Sequence, residues 1–204
     1  MRVLGFLLFS AALLHAEMVE YQIAPAEGTR FALEVFKTGL MRGKKHLFLF
    51  ERYSGKLWYD AEKTESSRVE LTIEAGSATL KDTWLSPKDF KKVQEYALKD
   101  MLAAERYPEL SFVSTSIRAT AANQYEVQGT LSIRGTAKPA RVLVSLKPGP
   151  TGTLAFEGST QLKMTDYGLK PPSAGLGTVG TKNEMAVSFS VVGHGSSLVQ
   201  GGQR

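Results

Sequence analysis

The chain has 204 residues, of which 43% are hydrophobic and 22% are charged, proportions that exclude global disorder and a polytopic membrane protein. It contains no cysteine, which excludes disulfides, thiolate metal sites and a cysteine nucleophile. The 25 Lys and Arg residues outnumber the 20 Asp and Glu residues, but no basic stripe accompanies this excess, so no nucleic-acid partner is expected.

The first 16 residues have the pattern of a secretory signal peptide. Arg2 precedes an apolar run over residues 3–14, which is shorter than the ~20 residues of a spanning helix, and Ala16 is a small residue of the kind found at cleavage sites. We expect cleavage after residue 16, export to the periplasm or the medium, and no stable membrane span afterwards. An uncleaved N-terminal anchor is the alternative.

Most of the remaining chain alternates apolar and polar residues at period two, which predicts a meander of eight or more antiparallel strands. Residues 31–35 form the first clear strand, and the sequence over residues 47–59 predicts a hairpin with its turn at 52–55. The basic cluster at residues 42–45 is typical of a solvated turn. Gly129 and Gly158 fall in the apolar phase of their strands, which favours coiling and closure of the sheet into a barrel.

Eleven of the alternating apolar positions should point into one lumen if the sheet closes, because each set lies on a single face of its strand. They are Val69, Leu71, Ile73, Phe112, Val127, Leu131, Ile133, Val142, Val144, Phe156 and Phe189. A small closed barrel can hold one apolar ligand in such a lumen. A barrel filled by its own side chains would show the same alternation, so both interpretations stay open at this point.

One segment follows a helical period. Ser86 is placed as the N-cap, Pro87 as the first helical residue and Asp89 as a partner of the cap. Apolar residues then recur at steps of three and four, namely Phe90, Val93, Ala97, Met101 and Ala104. The pattern predicts one amphipathic helix that ends before Pro108 and closes or flanks the barrel.

The remaining motifs do not form catalytic or cofactor sites. Residues 175–180 fit the letters of a dinucleotide fingerprint, but two prolines precede them and a strand follows, so a rim loop is the better interpretation. His46 and His194 lack metal-ligand spacing, and the second falls in a glycine-rich tail. We therefore expect no enzyme activity, no metal and no cofactor.

Four segments carry a family resemblance through their order and spacing: Lys-Thr-Gly-Leu at 37–40, Tyr-Pro-Glu-Leu-Ser-Phe-Val-Ser at 107–114, the run 125–139, and Asp-Tyr-Gly-Leu at 166–169. Together they resemble the YceI-like family of periplasmic proteins over residues 19–192. The resemblance implies an all-β, lipocalin-like extended antiparallel barrel whose lumen accommodates a long isoprenoid such as a quinone tail. Two departures concern the ligand: Lys163-Met164 replaces an Asn-Arg pair, and the segment 93–105 is longer than usual.

The predicted organisation is a signal peptide (1–16), a YceI-like barrel domain (17–192) and a flexible tail (193–204). The favoured function is an exported binding protein for a polyisoprenoid or another apolar lipid, with the eleven lumen residues as its binding site. Trp84 and Tyr167 lie beside the strands and are expected at the mouth, with ordinary rim packing as the alternative. The competing function is a packed barrel without ligand that serves as an envelope-stress or protein-interaction module, and a homodimer is left open.

Overall fold

A single twelve-stranded sheet forms most of the computed structural model, which describes residues 18–150 and 152–196. The predicted signal peptide and residues 197–204 lie outside the described residues. The strands are β1 (Val19–Ile23), β2 (Arg30–Gly39), β3 (Lys45–Phe50), β4 (Tyr53–Tyr59), β5 (Arg68–Glu74), β6 (Ala78–Leu80), β7 (Glu109–Ala121), β8 (Gln124–Ile133), β9 (Thr136–Pro148), β10 (Thr153–Lys163), β11 (Ser173–Ala174) and β12 (Val179–Gly195).

Eight of these strands close into an antiparallel barrel, in the order β1-β4-β5-β7-β8-β9-β10-β12. The ring closes where the end of β12 pairs with β1, with Tyr21 opposite Gly195 and Ile23 opposite Gly193. Closure leaves no free edge in the ring, which removes the exposed strand edge that an open sheet must protect. The predicted all-β barrel is confirmed. β12 extends through Gly195, so residues 193–195 belong to the barrel rather than to the predicted tail.

The other strands form an extension that branches from β12. Residues 179–190 of β12 pair with β2, β2 pairs with β3, and β3 pairs with β6. The predicted hairpin at residues 47–59 is wrong, because β3 and β4 pair with different neighbours. Gly55 lies inside β4 instead of a turn, where a Cβ atom would sit 2.6 Å from the Glu70 carbonyl oxygen.

The predicted helix is present but shorter than expected. Helix α1 (Pro87–Tyr96) is followed by a five-residue π-helical turn, Ala97–Met101. Ser86 caps α1, since its Oγ accepts a hydrogen bond from the Asp89 backbone N–H at 3.2 Å. Gln94 lies beside β6: its Oε1 accepts from the Leu80 N–H at 2.7 Å, and its Nε2 donates to the Ala78 carbonyl at 2.8 Å. In the part of the chain that the structure describes, no helix is long and apolar enough to span a membrane.

The barrel has two ends of different composition. The helix end is where β5 ends, β7 begins and a turn joins β8 to β9. The residues after α1 that pack against the core are Leu98, Met101, Leu102 and Ala104. Arg134, in the β8–β9 turn, holds this segment by donating from Nη1 to the carbonyls of Asp100 and Met101 at 3.0 and 3.2 Å. At the tyrosine end, β4 finishes at Tyr59 and β8 begins beside Tyr125.

Candidate functional site

The barrel encloses a cavity of about 200 Å³. None of the described residues on its wall carries a charge, and most are aliphatic or aromatic. A cavity of roughly 150 Å³ lined by Leu, Ile and Phe stays dry and takes up an apolar molecule such as benzene. The lumen is therefore suited to apolar ligands.

The structure brings all eleven predicted lumen residues to the wall of this one cavity. They are Val69, Leu71 and Ile73 on β5, Phe112 on β7, Val127, Leu131 and Ile133 on β8, Val142 and Val144 on β9, Phe156 on β10 and Phe189 on β12. Their common orientation follows from the period of two, since alternate side chains of a strand face opposite sides of the sheet. Whether they contact a ligand stays a prediction.

Two phenylalanine rings on the wall lie against glycines of neighbouring strands. A Cβ atom added at Gly129 would lie 2.4 Å from the Phe112 ring, and one at Gly158 would lie 2.3 Å from the Phe189 ring. Each glycine thus leaves the space that its ring occupies. Phe189 also stacks on Phe31 of the extension, with ring centroids 5.6 Å apart. The glycines therefore shape the lumen as well as the sheet, because they let both rings lie flat on the wall.

Four lining residues at the tyrosine end carry hydroxyl groups, although the cavity surface itself is formed by apolar atoms. The hydroxyls of Tyr59 and Tyr125 lie 3.4 Å apart, and Thr64 and Ser67 line the cavity beside Tyr59. Burial and the hydrogen bond with Tyr125 raise the pKa of Tyr59 to about 12. Tyr59 is therefore neutral throughout the physiological pH range.

The two predicted mouth residues do not line the cavity. Tyr167 is 4% exposed and packs in the core below a 3₁₀ turn, and burial raises the pKa of its hydroxyl. Trp84 lies on the extension, where it stacks on His46 at 5.3 Å and its Nε1 donates to the Lys45 carbonyl at 3.1 Å. Both side chains are held by neighbouring protein groups, which corrects their assignment to the mouth.

Several wall residues were not predicted from the sequence. Phe31, Leu33 and Phe50 come from the extension, Tyr59, Thr64 and Ser67 from the tyrosine end, and Leu102 from the segment after α1. The alternation of residues 31–35 predicted that Phe31 and Leu33 share one face of a strand. It did not predict that this face lines the lumen. Leu102 directly follows the π-helical turn and lies one residue beyond the predicted position Met101, which also packs against the core.

The other motifs have structural roles. Residues 175–178 form the tip of the β11–β12 hairpin, not the start of a helix. His46 Nδ1 lies 2.6 Å from Asp82 Oδ2, while Asp82 Oδ1 accepts from the Leu47 N–H, so this pair fastens the segment after β6 to β3. His194 pairs within the barrel wall instead of lying in a tail. Among the described residues, no cluster of His, Asp and Glu could hold a metal ion.

A model of the YceI-like domain matches residues 21–193. The chain belongs to the YceI-like family. Relatives named UPF0312 protein include one from Pseudomonas savastanoi pv. phaseolicola, 27% identical over 60% of this chain and 63% of the relative. Another, from Azotobacter vinelandii, is 30% identical over 59% of this chain and 62% of the relative. The matched region thus spans just under two thirds of the length of these relatives.

Solved structures of similar fold include Burkholderia cenocepacia BcnA, with a TM-score of 0.64 and 23% identity over 80% of this chain and 95% of that one. A polyisoprenoid binding domain from Saccharophagus degradans superposes with a TM-score of 0.60 and 12% identity, over 86% of this chain and 98% of that one. At these identities the similarity establishes the shared YceI barrel fold.

Proposed function

We propose that this protein is an exported binding protein that holds one apolar lipid, of the polyisoprenoid class, in the lumen of its barrel. The observation that carries the proposal is the uncharged cavity of about 200 Å³ inside the closed ring of strands. The Saccharophagus domain of similar fold, which is a polyisoprenoid binding domain, supports the ligand class. The pattern of residues 1–16 supports export.

A slender, flexible ligand suits this lumen better than a bulky one. Binding sites for drug-sized ligands are typically ~300–1,000 Å³, so a long isoprenoid must displace wall side chains to enter. Transfer of its surface from water contributes ~25 cal/mol per Å² of buried apolar area, less the cost of ordering the chain. The hydroxyls of Tyr59 and Tyr125 bond to each other behind an apolar cavity surface. A carbonyl or hydroxyl head group would reach them when the wall side chains move to admit the ligand.

The ligand is tested by purifying the protein without denaturant, extracting it with organic solvent and analysing the extract by mass spectrometry. We expect one lipid per protein, with the mass of an isoprenoid or a similar apolar chain. Leu131→Trp with Phe156→Trp fills the lumen and should remove that lipid. Leu143→Trp is the matched control, because Leu143 lies on the same wall but is 50% exposed and does not line the cavity.

Retention of the same lipid in equal amount by the doubly substituted protein would show that the lumen is not its site. If the unsubstituted protein carries no lipid and takes up no quinone analogue, the competing function is favoured, namely a barrel without ligand that serves as an envelope-stress or protein-interaction module.

Export is tested separately by N-terminal sequencing of the protein from the periplasmic fraction. The mature chain should begin near Glu17. Recovery of the intact N-terminus in the membrane fraction would contradict this part of the proposal and leave the lipid site unaffected.

A further inference from the structure

Two hairpin tips lie side by side where β2 and β12 extend away from the barrel. The first tip is the β2–β3 turn, residues 40–44, and the second is the β11–β12 turn, residues 175–178. The Leu40 N–H donates to the Thr178 carbonyl at 3.1 Å, which ties one tip to the other. Gly39 permits this approach, since a Cβ atom there would lie 2.0 Å from the Thr178 oxygen. We refer to the two turns together as the double tip.

Each turn presents a fully accessible leucine. Leu176 has a relative exposure of 108% and Leu40 of 83%, the two highest values among the described large hydrophobic residues. Leu176 also has a φ of 52°, in the left-handed region that a bulky residue rarely adopts. A polar residue such as Asn is the usual occupant of such a position. An unfavourable backbone that displays an apolar side chain to solvent points to a binding role for that side chain.

Basic residues surround the two leucines. The segments 35–50 and 167–183 contain six Lys and Arg residues and no Asp or Glu, whereas the other 19 Lys and Arg in the chain face 20 Asp and Glu. The six are Lys37, Arg42, Lys44, Lys45, Lys170 and Lys182. Two acidic residues nearby are paired, Glu34 with Lys45 and Asp82 with His46. Asp166 and Glu184 border the second segment on either side. These two segments therefore carry an excess of positive charge, although Lys45 is paired with Glu34 and Lys37 is half-buried beside Thr181.

We propose that the double tip docks this protein on the surface of a membrane that contains anionic phospholipid. Leu40 and Leu176 insert into the boundary between head groups and acyl chains, and the surrounding Lys and Arg side chains contact lipid phosphates. Short apolar insertions flanked by basic residues give reversible binding through this combination. The docking does not depend on a ligand in the lumen, so it can fail or succeed independently of the proposed lipid binding.

The test is co-sedimentation of the purified protein with lipid vesicles in 0.1 M NaCl. We expect binding to vesicles of phosphatidylcholine with one quarter phosphatidylglycerol, and little binding to phosphatidylcholine alone. Leu40→Ser and Leu176→Ser should each weaken binding about tenfold, because each removes the transfer of one leucine side chain. Arg42→Glu should weaken it at least fivefold. In 1 M NaCl, where charges are screened beyond ~3 Å, binding should fall strongly.

Leu143→Ser is the matched control, since Leu143 is an exposed leucine on the barrel wall, and it should bind like the unsubstituted protein. Binding of the two tip variants as strong as that of the unsubstituted protein, or equal binding to both vesicle types, would overturn the proposal.

A fluorescent label distinguishes a membrane from a second copy of the chain. Because the sequence contains no cysteine, Ala174→Cys beside the tip and Val113→Cys on the barrel wall each provide one attachment point. We expect a blue shift at position 174, and none at 113, when anionic vesicles are added. A shift at 174 that follows protein concentration without vesicles would identify self-association and overturn membrane docking.

Discussion

The helix end and the tyrosine end of the barrel face the same lumen with different chemistry. At the helix end, Leu102 lines the cavity and Arg134 fixes the segment behind it through two backbone carbonyls. At the tyrosine end, two phenol hydroxyls lie 3.4 Å apart on the wall. We therefore expect the proposed lipid to bind with its apolar tail near the helix end and its head group near the tyrosines.

The largest effect is expected from a truncation at the helix end. Leu110, at the start of β7, is 7% exposed and lines the cavity. Leu110→Ala should lower the free energy of unfolding by about 2–5 kcal/mol, because it removes buried apolar contacts and enlarges the cavity. Denaturant unfolding measures this loss. Leu143→Ala on the outer face serves as the control and should cost less than about 0.5 kcal/mol; similar losses in both variants would contradict a buried helix end.

The second effect concerns the clamp on the segment after α1. Arg134 has a φ of 51°, so Arg134→Asn removes the guanidinium while keeping a residue that tolerates this backbone. We expect a loss of about 1–2 kcal/mol from the two hydrogen bonds to carbonyls. Amide hydrogen exchange should become faster in residues 98–104 and stay unchanged in residues 59–67. Equal acceleration in both regions would show that the clamp does not act locally.

The tyrosine end is tested by ligand affinity. Tyr59→Phe and Tyr125→Phe should each weaken binding of a quinone analogue by about 0.5–1.5 kcal/mol, the usual net contribution of one hydrogen bond. Affinity for a hydrocarbon of similar length without a carbonyl should not change, because only the head group meets the hydroxyls. Titration calorimetry with the two ligands makes the comparison. Loss of affinity for both ligands would indicate that the hydroxyls shape the cavity instead of contacting a head group.

The smallest effect appears at alkaline pH. The pKa of Tyr59 is raised from 10.0 to about 12, so the unfolded chain releases this proton before the folded chain does. The contribution of Tyr59 to stability is therefore complete below pH 10 and is lost as the pH rises towards 12. Tyr59→Phe has no ionisable hydroxyl at this position. Denaturant unfolding of both proteins between pH 10 and pH 12 should therefore show a smaller loss of stability in the variant than in the unsubstituted protein. Parallel curves would show that the Tyr59 hydroxyl is solvated in the folded state.

The sequence predicted which side chains line the lumen, because apolar residues at every second position lie on the same face of a strand. It did not predict the tyrosine end. Tyr59 and Tyr125 are 66 residues apart, and they meet because the sheet curls from β4 through β5 and β7 to β8. No local pattern reports such a pairing, since it depends on which strands become neighbours.

The extension and the helix differ from prediction for the same kind of reason. Apolar runs on β3 and β4 are consecutive in sequence, and a hairpin is the default for consecutive strands. β12 is long enough to pair with both β2 and β1. Since β3 then pairs with β2 and β4 pairs with β1, the two strands do not pair with each other. In the helix, the spacing of apolar residues correctly predicted that Met101 and Ala104 pack against the core. It did not predict that Phe90, Val93 and Ala97 lie outside the core cluster or that the helix widens at Ala97.

Gln94 has a consequence for the behaviour of the protein in a crowded compartment. β6 is the last strand of the sheet, and an unpaired strand edge is a template on which another chain can add as a β-strand. The Gln94 amide occupies the Ala78 carbonyl and the Leu80 N–H, the groups that an incoming strand would bind first. The Gln94 side chain therefore protects this edge against aggregation. If α1 moves away from β6, the three-residue edge becomes free to pair with a strand of another chain.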